Sequence, residues 1–281
     1  MSTDILYSVE QRVATITFNR PEKMNAISPA MLERFFARVA DAAADTEVRA
    51  IVVTGAKRAF CAGVDLGGAT NRDPNAPTVP GTLTPAADQP PPQWDDGVGP
   101  ALARQFAAGW SGLIRARKPT IAAVNGAAYG WGAIFALHCD LRFAARSAVM
   151  NFTFARLGVP AEKASAWLLT RLVGPARSAD LLYTARRIEM AEAERIGLIN
   201  SVHDDDVLLA HTMAYAHQLA EHSAPRSLAA MKAQIWMALD ESYDDAYLKA
   251  DEEQARCMRT LDYKEGFTSY MEKRPPSFTG H

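Results

Sequence analysis

Cysteine is scarce: Cys61, Cys139 and Cys257 are the three in 281 residues, odd in number and far apart. They form no CxxC pair and no cluster with the six histidines, which argues against a disulfide framework and against a structural metal. A reducing compartment suits such usage. An excess of either charge is also missing. The net charge of −2 gives no reason to expect nucleic acid or an anionic membrane as main partner, although a local basic patch for a phosphorylated ligand stays open. No apolar run reaches the roughly 18 residues of a spanning helix. Residues 1–20 alternate rather than forming a signal-peptide core. These absences lead to the expectation of a soluble, cytoplasmic protein.

What is present is a chain 48% apolar and 22% charged, long enough for an α/β body with an appendage. "ILYSVEQRVATITFN" reads as a hairpin around Glu10-Gln11-Arg12, with Ala14, Ile16 and Phe18 alternating against Val13, Thr15 and Thr17. Ser28 then stands as an N-cap before Pro29, and Leu32, Phe35, Phe36 and Val39 recur at helical spacing. "RAIVVTG" and "PTIAAVNG" are short apolar runs ending in glycine, as expected of strands buried on both faces. A helix over about 101–116 lies between them, and "DLRFAA" and "LINSV" (Leu198–Val202) read as further strands. Strands alternating with helices predict parallel βαβ crossovers.

From Ala164 helices dominate. The expected plan is an α/β core over 1–202 and a helical segment over 203–281. Residues 68–100 carry eight of the sixteen prolines, including Pro90-Pro91-Pro92, and read either as a lid or as a mobile surface loop.

Two turns carry the chemical signal. "FCAGVDLGG" (Phe60–Gly68) follows one buried strand and offers the small residues Cys61, Ala62 and Gly63. "VNGAAYGWG" follows another and leads into an apolar helix, whose N-terminus supplies free N–H groups. Two such turns of one parallel sheet could aim two amides at one carbonyl oxygen and stabilise a developing oxyanion.

With their flanks the turns identify a family. "FNRPEKMNAIS", "FCAGVDL", "KPTIAAVNGAAYGWG", "CDLRFAA", "RLVGPARSADLLYTARRIEMAEAERIGLINSV" and "EGFTSYMEKRPPSF" resemble, in order, the enoyl-CoA hydratase/isomerase (crotonase) superfamily, over nearly the whole chain except the Pro-rich loop. The resemblance implies an α/β spiral of βαβ units with C-terminal helices that assemble a homotrimer or a dimer of trimers. It implies a coenzyme A thioester as substrate, with no separate cofactor. By position it assigns the two amides to Ala62 and Trp131, where the family usually has glycine at the second. It sets the adenine against Val64, Asp65 and Leu66, and it makes Lys23 and Lys273 candidates for the phosphates, although Lys273 reads equally well as a solvated helix end.

The acid–base pattern departs from the family's hydratases, which use two glutamates to place and protonate a water. The first position falls on Ile134 and the second on Phe154, and neither side chain can shuttle a proton. A third position remains. Peroxisomal-type Δ3,Δ2-enoyl-CoA isomerases carry a glutamate in a "PEA-S" pattern, and here Ala161-Glu162-Lys163-Ala164-Ser165 matches it. Such a base could move a double bond without water. The competing reading sets Glu162 as a favourable charge at the start of a helix beginning near Ala164.

Other polar groups read as structural. His138 is expected to face the core, and Asp140 to begin a strand. "HDDD" (His203–Asp206) looks metal-like but reads better as an N-cap, and Asp95 and Asp96 reach the pocket only if the loop folds over it. Trp131, Phe152, Phe154 and Trp167 hint at an apolar pocket. The expectation is isomerase-type proton transfer through a thioester enolate. The alternatives are a non-catalytic acyl-CoA-binding protein, or a hydratase or hydrolase with an atypical acid or base.

Overall fold

A computed structural model of the protein describes residues 3–67, 102 and 105–281. The Pro-rich stretch 68–100, with Asp95 and Asp96, lies outside the described residues. Strands β1 (Ile5–Glu10) and β2 (Val13–Phe18) pair as the expected hairpin. Gln11 and Arg12, at φ 46° and 66°, close it in the left-handed conformation that matches strand twist. Ala14, Ile16 and Phe18 point into the core. β2 then pairs in parallel with β3 (Ala50–Gly55), β3 with β5 (Thr120–Val124), β5 with β7 (Leu141–Ala145) and β7 with β10 (Ser201–His203). Both β3 and β5 are buried along their whole length, as their unbroken apolar runs require.

Ser28 caps the helix Pro29–Ala44 by accepting the Met31 N–H at 3.2 Å. Its Phe35 stacks on Phe18 at 5.0 Å and meets Phe135 at 4.7 Å. This aromatic cluster ties the first strand pair to the helix Trp131–Leu137, in which every residue but Trp131 is buried.

A second, smaller sheet has no counterpart in the sequence reading. It orders β4 (Ala59–Cys61), β6 (Ala127–Tyr129), β8 (Val149–Asn151) and β9 (Ile188–Glu189). Strands of two or three residues are too short to show a period. Three expectations are corrected. The helix drawn over about 101–116 is broken: Leu102 and Gln105 are helical, Ala108 turns extended at ψ 140°, and a 3₁₀ turn Gly109–Ser111 and one helical turn Gly112–Arg115 follow. The strand drawn over Leu198–Val202 begins at Ser201, because the backbone first bends at Gly197 with φ 81°. The division at residue 202 cuts that strand, and the helix Leu208–His222 packs on β2, β3, β5 and β7, so the body runs on to about His222. The helices Pro225–Met237, Tyr243–Cys257 and Leu261–Glu272 follow.

Candidate active site

The turn after β4 and the turn before the helix Trp131–Leu137 are pressed together through glycines. A Cβ on Gly63 would lie 2.8 Å from the Tyr129 carbonyl oxygen and 3.6 Å from the Trp131 nitrogen. Gly63 and Gly130 also carry φ of 95° and 50°, conformations that glycine adopts without strain. Two asparagine side chains, the buried Asn25 and the half-buried Asn125, fix this frame. Asn25 donates to the carbonyls of Ala56 and Ala59, and Asn125 donates to those of Gly55 and Lys57.

The first amide differs from the expectation. The Ala62 N–H donates to the Met24 carbonyl at 3.0 Å, so it is committed to holding the turn and is not free for a ligand. Val64 takes its place. Ile27 receives the chain on one side, with its N–H on the Gly63 carbonyl at 2.7 Å and its carbonyl accepting the Asp65 N–H at 2.9 Å. In this parallel pleat the intervening Val64 N–H points the other way, and it has no acceptor among the described residues. The Trp131 N–H, the first of its helix, also has none. Val64 and Trp131 thus place an amide without an acceptor, among the described residues, on each of the two touching turns.

The segment Val64–Leu66 is accessible, with Val64 and Leu66 exposed. The Asp65 carboxylate is tied down by the Gly67 N–H and by Arg20, whose Nη2 lies 2.9 Å away, and both hold it below the usual carboxylate range. Arg20 was missed in the sequence reading, although "FNRPEKMNA" contains it. Lys23 is exposed at the end of the turn Pro21–Lys23 and adds its positive charge near Asp65. Lys273 is exposed at the end of the last helix, in a left-handed cap with φ 55°; no hydrogen bond or ion pair links it to this turn among the described residues.

The two positions where the family's hydratases carry glutamates are apolar and buried. Ile134 is fully buried and Phe154 is 3% exposed. The carboxylate joined to Trp131 is Glu162, whose Oε2 accepts the indole Nε1–H at 2.7 Å. Its side chain bonds no helix amide. Only its backbone carbonyl serves the helix Ser165–Val173, accepting the Ser165 N–H at 2.9 Å. Trp131 in turn meets Trp110 edge to face at 4.8 Å, and Trp110 stacks on Phe135 at 5.0 Å. Trp167, by contrast, sits with Phe106 and under the Arg171 guanidinium, in a separate apolar cleft of about 400 Å³ lined also by Trp236.

The remaining titratable candidates are structural. Burial pushes the Cys61 thiol up to about 12, which removes it as a nucleophile. Burial lowers His138 to about 4, and its Nδ1 lies 2.9 Å from the Ile134 carbonyl, as a neutral core histidine. Asp140 accepts from Thr120, from the Trp236 indole and from Lys232 at 2.9 Å. Asp204 and Asp205 cap no helix; they hold the turn at Arg146 and Ser147 instead. No group of three or more His, Cys, Asp or Glu placed to hold a metal occurs among the described residues.

Two sheets joined by helical crossovers, with free amides on two touching turns, are the frame of the crotonase-fold acyl-CoA enzymes. Residues 8–83 and 100–281 match the enoyl-CoA hydratase/isomerase family model, and the chain belongs to that family. It is 34% identical to the 1,2-epoxyphenylacetyl-CoA isomerase of Escherichia coli K12 over 98% of each chain. It is 31% identical to the 2,3-dehydroadipyl-CoA hydratase of the same organism over 99% of each. The solved enoyl-CoA hydratase of Bacillus anthracis superposes with a TM-score of 0.84 at 26% identity, covering 99% of this chain and 100% of that one.

Proposed function

We propose that the protein moves a proton between carbons of an enoyl-CoA thioester, shifting its double bond without adding water. The Val64 and Trp131 N–H groups would receive the thioester oxygen as it gains charge, each such donor contributing about 3 kcal/mol to the transition state. The Glu162 carboxylate would take a proton from the α-carbon, leaving the electron pair delocalised as the enolate. The resulting carboxylic acid would return that proton at the γ-carbon, so that atoms and charge balance with no further reactant. The thioester is the substrate in this reading, and no separate cofactor takes part.

The observation that carries the proposal is the 2.7 Å bond between Glu162 and the Trp131 side chain, because it sets a carboxylate beside a residue whose own amide is one of the two free donors. The buried Ile134 and Phe154 weigh against the hydratase alternative, since neither can hold a water. Glu162→Gln tests the assignment. Isomerisation of a short-chain 3-enoyl-CoA should collapse while acyl-CoA binding persists; undiminished turnover overturns it. Wild-type protein that binds acyl-CoA without turnover would instead be the non-catalytic binding protein.

Assembly into homotrimers, or dimers of trimers, belongs to the same reading. The C-terminal helices leave Leu248, Leu261, Phe267, Tyr270 and Met271 more than half exposed, an apolar surface that suits contact with further copies. A monomeric mass in light scattering would refute it.

A further inference from the structure

We infer that the Trp131 side chain is a positioning residue for Glu162, so that one residue sets both the oxyanion donor, through its amide, and the proton carrier, through its indole. The inference rests on the isomerase reading above. Its basis is how the indole is held and what it holds.

The ring is fixed on three sides. Trp110 meets it edge to face at 4.8 Å, the Lys163 ammonium lies 5.8 Å from its centroid, and Glu162 takes its N–H at 2.7 Å. The same ammonium lies 5.6 Å over Trp110. Consecutive side chains in an extended chain diverge to opposite sides, so Glu162 and Lys163 reach one ring only because the backbone bends between them. Lys163 and Ala164 supply the bend with φ of 50° and 59°, two successive left-handed residues that are not glycine. Each costs about 1 kcal/mol or more, and strain of that kind persists where the surroundings demand it. Here it lets a cation sit on the face of the indole and a carboxylate on its edge. A cation on the face draws electron density from the ring and makes the N–H a stronger donor to the carboxylate.

The consequence is geometric. One oxygen of Glu162 is occupied by the indole, while Oε1 has no protein partner among the described residues. A carboxylate held by one oxygen keeps a fixed direction for the other, which is the condition for delivering a proton to one carbon rather than to several. No sequence motif signals this, because the bond joins side chains 31 residues apart in the chain.

The test is a double-mutant cycle on the full chain, with a short-chain 3-enoyl-CoA as substrate. Trp131→Phe retains a ring and the amide but removes the indole N–H. It should lower kcat by about 10- to 100-fold, the scale of a hydrogen bond to a charged group, with KM within about twofold. In the Glu162→Gln background the same change should add less than about twofold, since the indole acts through the carboxylate. Replacing Trp131 with benzothienylalanine, which preserves shape and lacks the N–H, repeats the experiment if Trp131→Phe folds poorly. In ¹⁵N-indole spectra the Trp131 N–H resonance should move on Glu162→Gln.

Unchanged kcat, a rise in KM with kcat intact, multiplying effects in the cycle, or an unmoved resonance each overturn the inference. Loss of activity in Glu162→Gln with full activity in Trp131→Phe would sink this inference alone. Full activity in Glu162→Gln, or no turnover by the wild type, would sink both.

Discussion

Gly132 and Cys61 meet backbone to backbone: a Cβ on residue 132 would stand 1.9 Å from the Cys61 carbonyl oxygen. The contact sets the distance between the two turns that carry the free amides. Gly132→Ala must therefore push β4 away from the helix Trp131–Leu137. The expected loss is about 3 kcal/mol or more, at the upper end of overpacking costs. Gly158 is the control. Its φ is 70°, but a Cβ there meets nothing within 4 Å, so Gly158→Ala should cost only about 1 kcal/mol of strain. Urea denaturation of both variants decides the point, and equal midpoints would contradict it.

Glu162→Gln keeps the volume of the side chain and can still accept the indole N–H, but it cannot carry the proton. Isomerase kcat should fall about 10²- to 10⁴-fold, the range attributed to a positioned general base. Acyl-CoA affinity, measured by calorimetry, should stay within about threefold, because the two main-chain donors are untouched. A large loss of affinity with kcat preserved would assign Glu162 to binding.

His138 makes stability depend on acid. Its pKa is lowered from 6.5 to about 4 by burial, so the folded protein resists protonation. Above pH 6.5 both folded and unfolded chains hold a neutral imidazole and the residue contributes nothing. As the pH falls from 6.5 toward 4, the unfolded chain takes up a proton that the folded chain refuses, and stability is lost. At pH 5 the loss should be about 2 kcal/mol, from one and a half units at ~1.4 kcal/mol each. The difference in urea midpoint between pH 7.5 and 5 should shrink in His138→Gln; an identical difference would show that other groups dominate.

Asp140 and Lys232 should respond unequally. Lys232 is 5% exposed, bonds the Leu113 and Lys118 carbonyls, and pairs with Asp140 at 2.9 Å. Asp140→Ala strands a buried ammonium without its counter-charge, at about 3–5 kcal/mol. Lys232→Met leaves Asp140 with its Thr120 and Trp236 donors, so a smaller cost follows. Thermal unfolding of the two variants measures the asymmetry, and a larger effect for Lys232→Met would reverse the argument.

Much of the parallel sheet was legible because β3 and β5 are buried on both faces and so write themselves as unbroken apolar runs. The hairpin and the Ser28 cap were legible because each depends on neighbours in sequence. The strands Ala59–Cys61 and Ile188–Glu189 were not, since two or three residues carry no period and their pairing partners are remote in the chain. The same distance hid the first amide. That Ala62 is spoken for depends on the Met24 carbonyl, 38 positions earlier, and only the folded chain shows it. Glu162 was visible as a residue type at a position, but its attachment to Trp131 runs across 31 residues, with the left-handed Lys163 and Ala164 directly after it.

The buried Ile134 and Phe154 bear on what becomes of the proton while it is off the substrate. If Glu162 is the proton carrier, the absence of solvent-binding groups at those two positions would leave a hydron it lifts few exits in their direction, and a memory of its origin. Substrate labelled with deuterium at the α-carbon and turned over in ordinary water should hand a measurable fraction of that label to the γ-carbon of the same molecule. The greasy walls would thus act as an isotope trap, and the retained fraction would gauge how well they are sealed.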